Sequence, residues 1–201
     1  MFFNKKFILA SSSLSRYKIL KNNKLLFIKK KPFCNEEKLK KKLIKNSFTP
    51  QRISLELARL KSKSISKKKT NNLVVGCDTI ICFNGTLLNK AKNLKEAKKK
   101  IIKLSGKTHD IYSSASVFFN NKEIWKSTQK SKVKIRNLSE KEVDKYLIKT
   151  KKQILNSVGC YQVEALGPNI IEETKGDFFN IMGFPLFPFL RFLKNYKDRQ
   201  I

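Results

Sequence analysis

Asp78 interrupts an apolar run. In LVVGCDTIICF, residues 73–83, it stands among β-branched and apolar neighbours, in a chain with only five aspartates. A buried carboxylate without a partner is costly, so something must compensate it. A metal, a lysine and a catalytic duty are the candidates, and we favour function over a structural ion pair. A second cluster lies in ILASSSLSRYKIL, residues 8–20, where a short apolar run meets three serines and then Arg16. A strand entering a helix through small hydroxyl residues points free backbone N–H groups and the positive helix end at one spot, which suits a phosphate. Arg16 could add its fork of donors to that anion. The plainer alternative is that Ser13 caps the helix and Arg16 is solvated.

Other residues carry weaker signals. Glu36 and Glu37 are the only acids between Met1 and Glu56; the pair could hold Mg²⁺ or balance local charge. Lys61 and Lys90 do not rise above a lysine-rich background on their own. Glu164, in VGCYQVEALG, and Asp177, in KGDFFNIMGFP, sit in Gly-bearing loops of the kind that shape pockets. His109 is the sole histidine, which leaves little material for a His-based zinc site or a catalytic triad.

These residues need elements to position them. Phe7 to Ala10 reads as a buried strand, and Leu14 to Leu20 as the start of a helix. Residues 25–30 form a second strand, and the lysine-rich stretch 35–50 is a loop or marginal helix ending at Pro50. Ile53, Leu57 and Leu60 recur at helical spacing in a helix from Gln51 to about Ser66. Residues 73–83 form a central strand followed by an Asn84-Gly85 hairpin turn. Leu94, Ala97, Ile101 and Leu104 mark a helix that stops at Gly106. Two long strands, 108–119 and 123–136, meet at Asn120-Asn121. Ser139 with Glu142 makes a capping box, a strand follows at 169–174, and a last helix runs from Pro185 to Asn195. The alternation implies an α/β domain with a mixed sheet, without repeat or linker.

With 201 residues, 40% of them hydrophobic, the chain suits one domain with a real core. Its net charge of +30 comes from 45 Lys+Arg against 15 Asp+Glu, and only six of those cations are Arg. Nucleic-acid surfaces need cations clustered on one face, with Arg and aromatics among them. Here lysine is spread through every segment, so compositional drift is the preferred explanation and polyanion binding is expected to be nonspecific. Cys34, Cys77, Cys82 and Cys160 form no C-x-x-C pair. With no signal-peptide pattern in MFFNKKFILASS, they are expected to be reduced thiols of a cytoplasmic protein. No apolar run approaches the roughly 18 residues of a membrane span.

LASSSLSRYKIL, LARLKSKS, VVGCDTII, LNKAKNLKEAKKKIIKLSGKTHDIYSS, LSEKEVDKYL and KGDFFNIMGFPL occur in that order. Together they resemble the Maf family of nucleoside triphosphate pyrophosphatases from about Phe7 to Leu193. The resemblance implies a single elongated α/β domain over residues 1–201, similar to inosine triphosphate pyrophosphatases. It also implies hydrolysis of a nucleoside triphosphate to monophosphate and diphosphate with Mg²⁺ or Mn²⁺, keeping modified nucleotides from incorporation, and a homodimer. By that resemblance Asp78 accepts the proton of the attacking water, and Lys61 and Lys90 neutralise charge in catalysis. Ser11, Ser13 and Arg16 hold the phosphates, Glu164 takes a substrate-binding position, and Glu36 joins Asp78 at the metal.

The chain departs from the family pattern at identifiable places. The family opening S-x-S-P-R-R carries Leu14 and Ser15 here, G-K-P becomes Asn89-Lys90-Ala91, and D-E becomes Asn35-Glu36. The subgroup acting on dTTP and UTP has glutamine where this chain has Glu164, which is similar to the 7-methyl-GTP subgroup, whereas Thr79 matches the former. The preferred base therefore stays open. The family's link to arrest of cell division supplies a second reading, a regulatory protein, and the +30 charge a basic nucleic-acid-binding protein without catalysis.

Overall fold

The structure is a computed structural model, and it describes residues 5–69 and 71–196. In chain order the elements are β1 (Phe7–Ala10), α1 (Leu14–Asn22), β2 (Phe27–Lys30), α2 (Glu36–Lys45), α3 (Pro50–Ser66), β3 (Leu73–Phe83), β4 (Thr86–Leu88), α4 (Leu94–Leu104), β5 (Thr108–Phe119), β6 (Lys122–Ile135), α5 (Glu140–Thr150), β7 (Ile171–Lys175), α6 (Phe178–Met182) and α7 (Leu186–Asn195). Short 3₁₀ segments cover Lys151–Asn156 and Gly167–Asn169. The strands form a seven-stranded sheet in the order β2-β1-β3-β5-β6-β7, with β4 on β3. Parallel pairs β1·β2 and β1·β3 coexist with antiparallel β3·β4 and β6·β7, the mixed α/β sheet expected.

Two compact units are evident. Of the described residues, the first comprises 5–69, 71–79, 113–129 and 183–196, and the second 80–112 and 130–182. Each is discontinuous, so no single cut in the sequence separates them. In the first unit, Phe7, Leu9, Ile19, Leu20, Leu57, Phe184 and Phe189 are buried, and the Phe7 and Phe189 rings meet edge to face at 5.2 Å. In the second, one apolar cluster joins Ala97, Ile101 and Leu104 of α4 to Ile111, Val133, Val143 and Tyr161.

Local chemistry explains where these elements begin and end. The hairpin turns fall on Asn84-Gly85 and Asn120-Asn121, where all four residues have positive φ, as tight two-residue turns require. Ser139 and Glu142 form the reciprocal capping box at the start of α5. The stretch expected as loop or marginal helix contains a regular helix, α2. Asn35 accepts from the Lys38 amide at 2.9 Å, Glu36 and Glu37 complement the helix dipole, and lysines occupy the last turn. Pro50 opens α3 at its first position instead of closing the segment. The strand expected from 169 begins at Ile171, because residues 167–169 form a 3₁₀ turn. Helix α6 was not expected; Asp177 starts it by accepting from the Phe179 amide at 2.7 Å.

Candidate functional site

The β1·β3 register sets Ala10 opposite Gly76, which brings the end of β1 level with the segment leading to Asp78. Helix α3 lies close against that segment. A Cβ at Gly76 would stand 2.2 Å from the Ala58 carbonyl oxygen and 2.5 Å from the Ser62 amide nitrogen, so only glycine admits this approach. One residue before Ser62, Lys61 points into the same place. Its Nζ lies 2.7 Å from Asp78 Oδ1, 2.9 Å from Glu36 Oε2 and 3.3 Å from the Cys77 carbonyl oxygen.

This trio answers the question Asp78 raised. Lys61 is 6% exposed and Asp78 8%, while Glu36 keeps a partly exposed side chain. Burial works against the Lys61 charge and Arg16 repels it, yet Asp78 and Glu36 outweigh both and hold the ammonium above the ordinary lysine range. Lys40 also faces this group: burial lowers its pKa, while Asp78 and Glu37 pull the other way. The Cys34 thiol is pushed up by burial and by Glu36. Cys77 points into the apolar interior, where burial raises it to about 12. A thiol held so firmly protonated is no nucleophile.

Arg16 completes the arrangement in the first unit. It is 8% exposed, and its guanidinium donates through Nε to the Gly183 carbonyl at 2.8 Å, through Nη1 to Ser11 Oγ at 3.2 Å and through Nη2 to Thr79 Oγ1 at 3.0 Å. Thr79 Oγ1 in turn pairs with Ser113 Oγ at 3.0 Å. These three bonds use only part of the five-donor fork. Gly183 has φ +105°, and a Cβ there would crowd Thr79 Oγ1 at 3.0 Å. Ser13 is the N-cap of α1, accepting from the Arg16 amide at 3.3 Å, while its own amide donates to Ser11 Oγ at 3.2 Å. The two sequence readings of this junction therefore divide: Ser13 caps, but Arg16 is buried and bonded.

Ser11, Ser13, Arg16, Glu36, Lys61 and Asp78 thus all belong to the first unit, within one network of bonds and charges. Lys90 and Glu164 are exposed residues of the second unit. His109, also there, is buried; its Nε2 shares a hydrogen bond of 2.6 Å with Tyr161 Oη, and burial lowers its pKa to about 4. Sequence reading missed Lys40, Ser113 and Gly183. Lysine abundance hides the first, and only the tertiary fold links the other two to Arg16.

The residues can be tested against a divalent cation. Two carboxylate oxygens, from Asp78 and Glu36, converge on the position of one ammonium. Among the described residues no group of three or more His, Cys, Asp or Glu is placed to hold a metal ion. An all-oxygen pair that needs further oxygens from a phosphate substrate and water fits the habit of Mg²⁺ or Mn²⁺.

Comparison with known proteins places the chain. The family model described as Maf-like protein matches residues 6–196. A protein of Bartonella henselae named 7-methyl-GTP pyrophosphatase is 38% identical over 191 residues, covering 94% of this chain and 95% of that protein. Proteins named nucleoside triphosphate pyrophosphatase from Caulobacter vibrioides and Pelagibacter ubique are each 34% identical, over 92% and 96% of this chain and 93% and 99% of their own lengths.

Proposed function

The chain belongs to the Maf-like protein family, and from that premise we propose that it is a nucleoside triphosphate pyrophosphatase, cleaving between the α and β phosphates to give a monophosphate and diphosphate. The observation that carries this reading is the buried Lys61 ammonium held between Asp78 and Glu36, with Arg16 close enough to act on its charge. Such a centre offers a carboxylate to accept a proton from water and cations to meet polyphosphate charge.

Arg16, fixed by Gly183, Ser11 and Thr79, keeps donors for phosphate oxygens without having to be ordered when substrate arrives. Ser11 and Ser13 shape the start of α1, whose positive end favours the same anion. Lys61 offsets the charge of Asp78 before substrate binds and can turn toward phosphate as charge develops there. Asp78 then takes the proton of the attacking water, and the diphosphate leaves. Asp78 and Glu36 would hold Mg²⁺ or Mn²⁺, which neutralises phosphate charge and polarises the phosphorus centre. We assign Lys90 a further charge-neutralising role and Glu164 a substrate contact, on the family pattern. A homodimer in the cytoplasm, keeping modified nucleotides out of nucleic acid, completes the proposal.

The test is release of diphosphate and monophosphate from a panel of nucleoside triphosphates that includes 7-methyl-GTP, with Mg²⁺ or Mn²⁺. Asp78→Asn is expected to lower turnover by about a hundredfold or more, with the circular dichroism spectrum unchanged. Wild-type-like turnover by a folded Asp78→Asn protein removes Asp78 from the base role. A folded wild-type protein inactive across the whole panel overturns the enzyme reading.

A further inference from the structure

The fold gathers in one place what the sequence scatters. Trp125 comes from β6, and Arg191, Phe192, Asn195 and Tyr196 come from α7 and the residue after it, all within the first unit. Together with Lys126 they line an open groove of about 480 Å³. The Trp125 and Phe192 rings are stacked at 5.2 Å with 26° between their planes. Phe192 continues to Tyr196 at 5.3 Å, and the Lys5 ammonium sits 5.4 Å from the Tyr196 ring centre.

No carboxylate is among the described residues that line this groove. The acid of β6, Glu123, is engaged by Arg59 through two bonds of 2.8 Å and stands 3.9 Å from the Lys126 ammonium, a looser contact that a phosphate can displace. Guanidinium and ammonium groups beside a row of half-buried aromatic rings meet the requirement that the dispersed lysines do not: cations and stacking surfaces on one face. Lysine drift explains many surface cations; it does not explain an arginine, rare in this chain, beside three aromatic rings.

We propose that this groove binds single-stranded nucleic acid, with an unpaired base against Trp125 and the backbone phosphates on Arg191 and Lys126. The ring takes a base face and the cations take phosphate oxygens, contacts that deoxyribose and ribose strands offer equally, so strands of the same base bind alike. Duplex binds less well, because its bases are already stacked on one another. This site is separate from the phosphate chemistry of Asp78 and Lys61, and it differs from diffuse attraction to +30 charges by having a fixed address.

Trp125 is the chain's only tryptophan, so its emission reports on this groove directly. A twelve-nucleotide oligothymidylate is titrated into the full-length protein at about 0.2 M salt, where nonspecific contacts are weakened. The expected result is saturable quenching, matched by oligouridylate. Arg191→Glu with Lys126→Glu keeps the circular dichroism spectrum and weakens binding by about tenfold or more. Lys141→Glu with Lys145→Glu, a charge change of equal size on exposed positions of α5, leaves binding unchanged. The proposal is overturned by absent quenching, by equal loss in the α5 variant, or by duplex binding as tightly as the single strand. It is also overturned if emission shifts with protein concentration alone, which assigns the groove to a second copy of the chain.

Discussion

Asp78 and Arg16 show what a single residue reveals in a sequence and what it conceals. A carboxylate inside an apolar run is conspicuous because burial without compensation is prohibitive, and the compensation proves to be Lys61 at 2.7 Å. Lysine 61 itself is inconspicuous, since the same side chain occurs in every segment; only the placement of α3 against β3 selects it. Replacing Arg16 by Lys leaves one cation to serve three acceptors now met by Nε, Nη1 and Nη2. Hydrogen bonds from charged groups contribute about 1.5–3 kcal/mol each. Arg16→Lys is therefore expected to lower the urea midpoint and raise KM for the nucleotide. His109 gives a pH dependence of defined sign. Burial lowers its pKa from 6.5 to about 4, so between those values the unfolded chain binds a proton that the folded chain refuses. Stability is then lost as pH falls from about 6.5 toward 4, by on the order of 3 kcal/mol. Comparing urea unfolding at pH 7 and pH 5 in wild type and His109→Gln checks this, with the smaller pH difference expected in the variant.

At the scale of elements, legibility depended on whether the signal was local. The Asn-Gly and Asn-Asn turns, the capping box and the apolar stripe of α4 are each complete within a few residues, and each appears where the sequence places it. The polar, lysine-rich stretch 35–50 reads as a loop or marginal helix because it lacks an apolar stripe, and in the structure only Leu43 of α2 is buried; its caps and charges hold the helix instead. Five-residue α6 is too short for periodicity to register. The approach of α3 to Gly76 was invisible for another reason, being a contact between segments. Gly76→Ala puts a methyl group into the backbone of α3, which cannot yield as a flexible side chain would. Overpacking of this kind costs about 1–3 kcal/mol, and because Lys61 rides on α3 the variant is expected to lose turnover along with Tm. A variant with reduced Tm but wild-type kcat shows that α3 can shift without moving the Lys61–Asp78 contact.

Across the whole molecule, charge is the dominant surplus. Repulsion among 30 uncompensated positive charges opposes compactness and is screened by salt. Raising salt from about 0.02 to 0.2 M is therefore expected to raise Tm. A fall in Tm would mean that screening of ion pairs such as Arg59 with Glu123 and Lys98 with Asp144 outweighs it. The discontinuity of the two units has a consequence for synthesis on the ribosome. Every residue of the second unit is translated before residue 183, whereas the first unit receives residues 183–196 only after all of them. Phe7 near the start of the chain must wait for Phe189, and Arg16 for the Gly183 carbonyl. Nascent chains thus carry β1 with an unfinished apolar face until Phe189 is made, about 9 to 36 s after Phe7 at roughly 5–20 residues per second, so chaperone capture during translation should fall on β1.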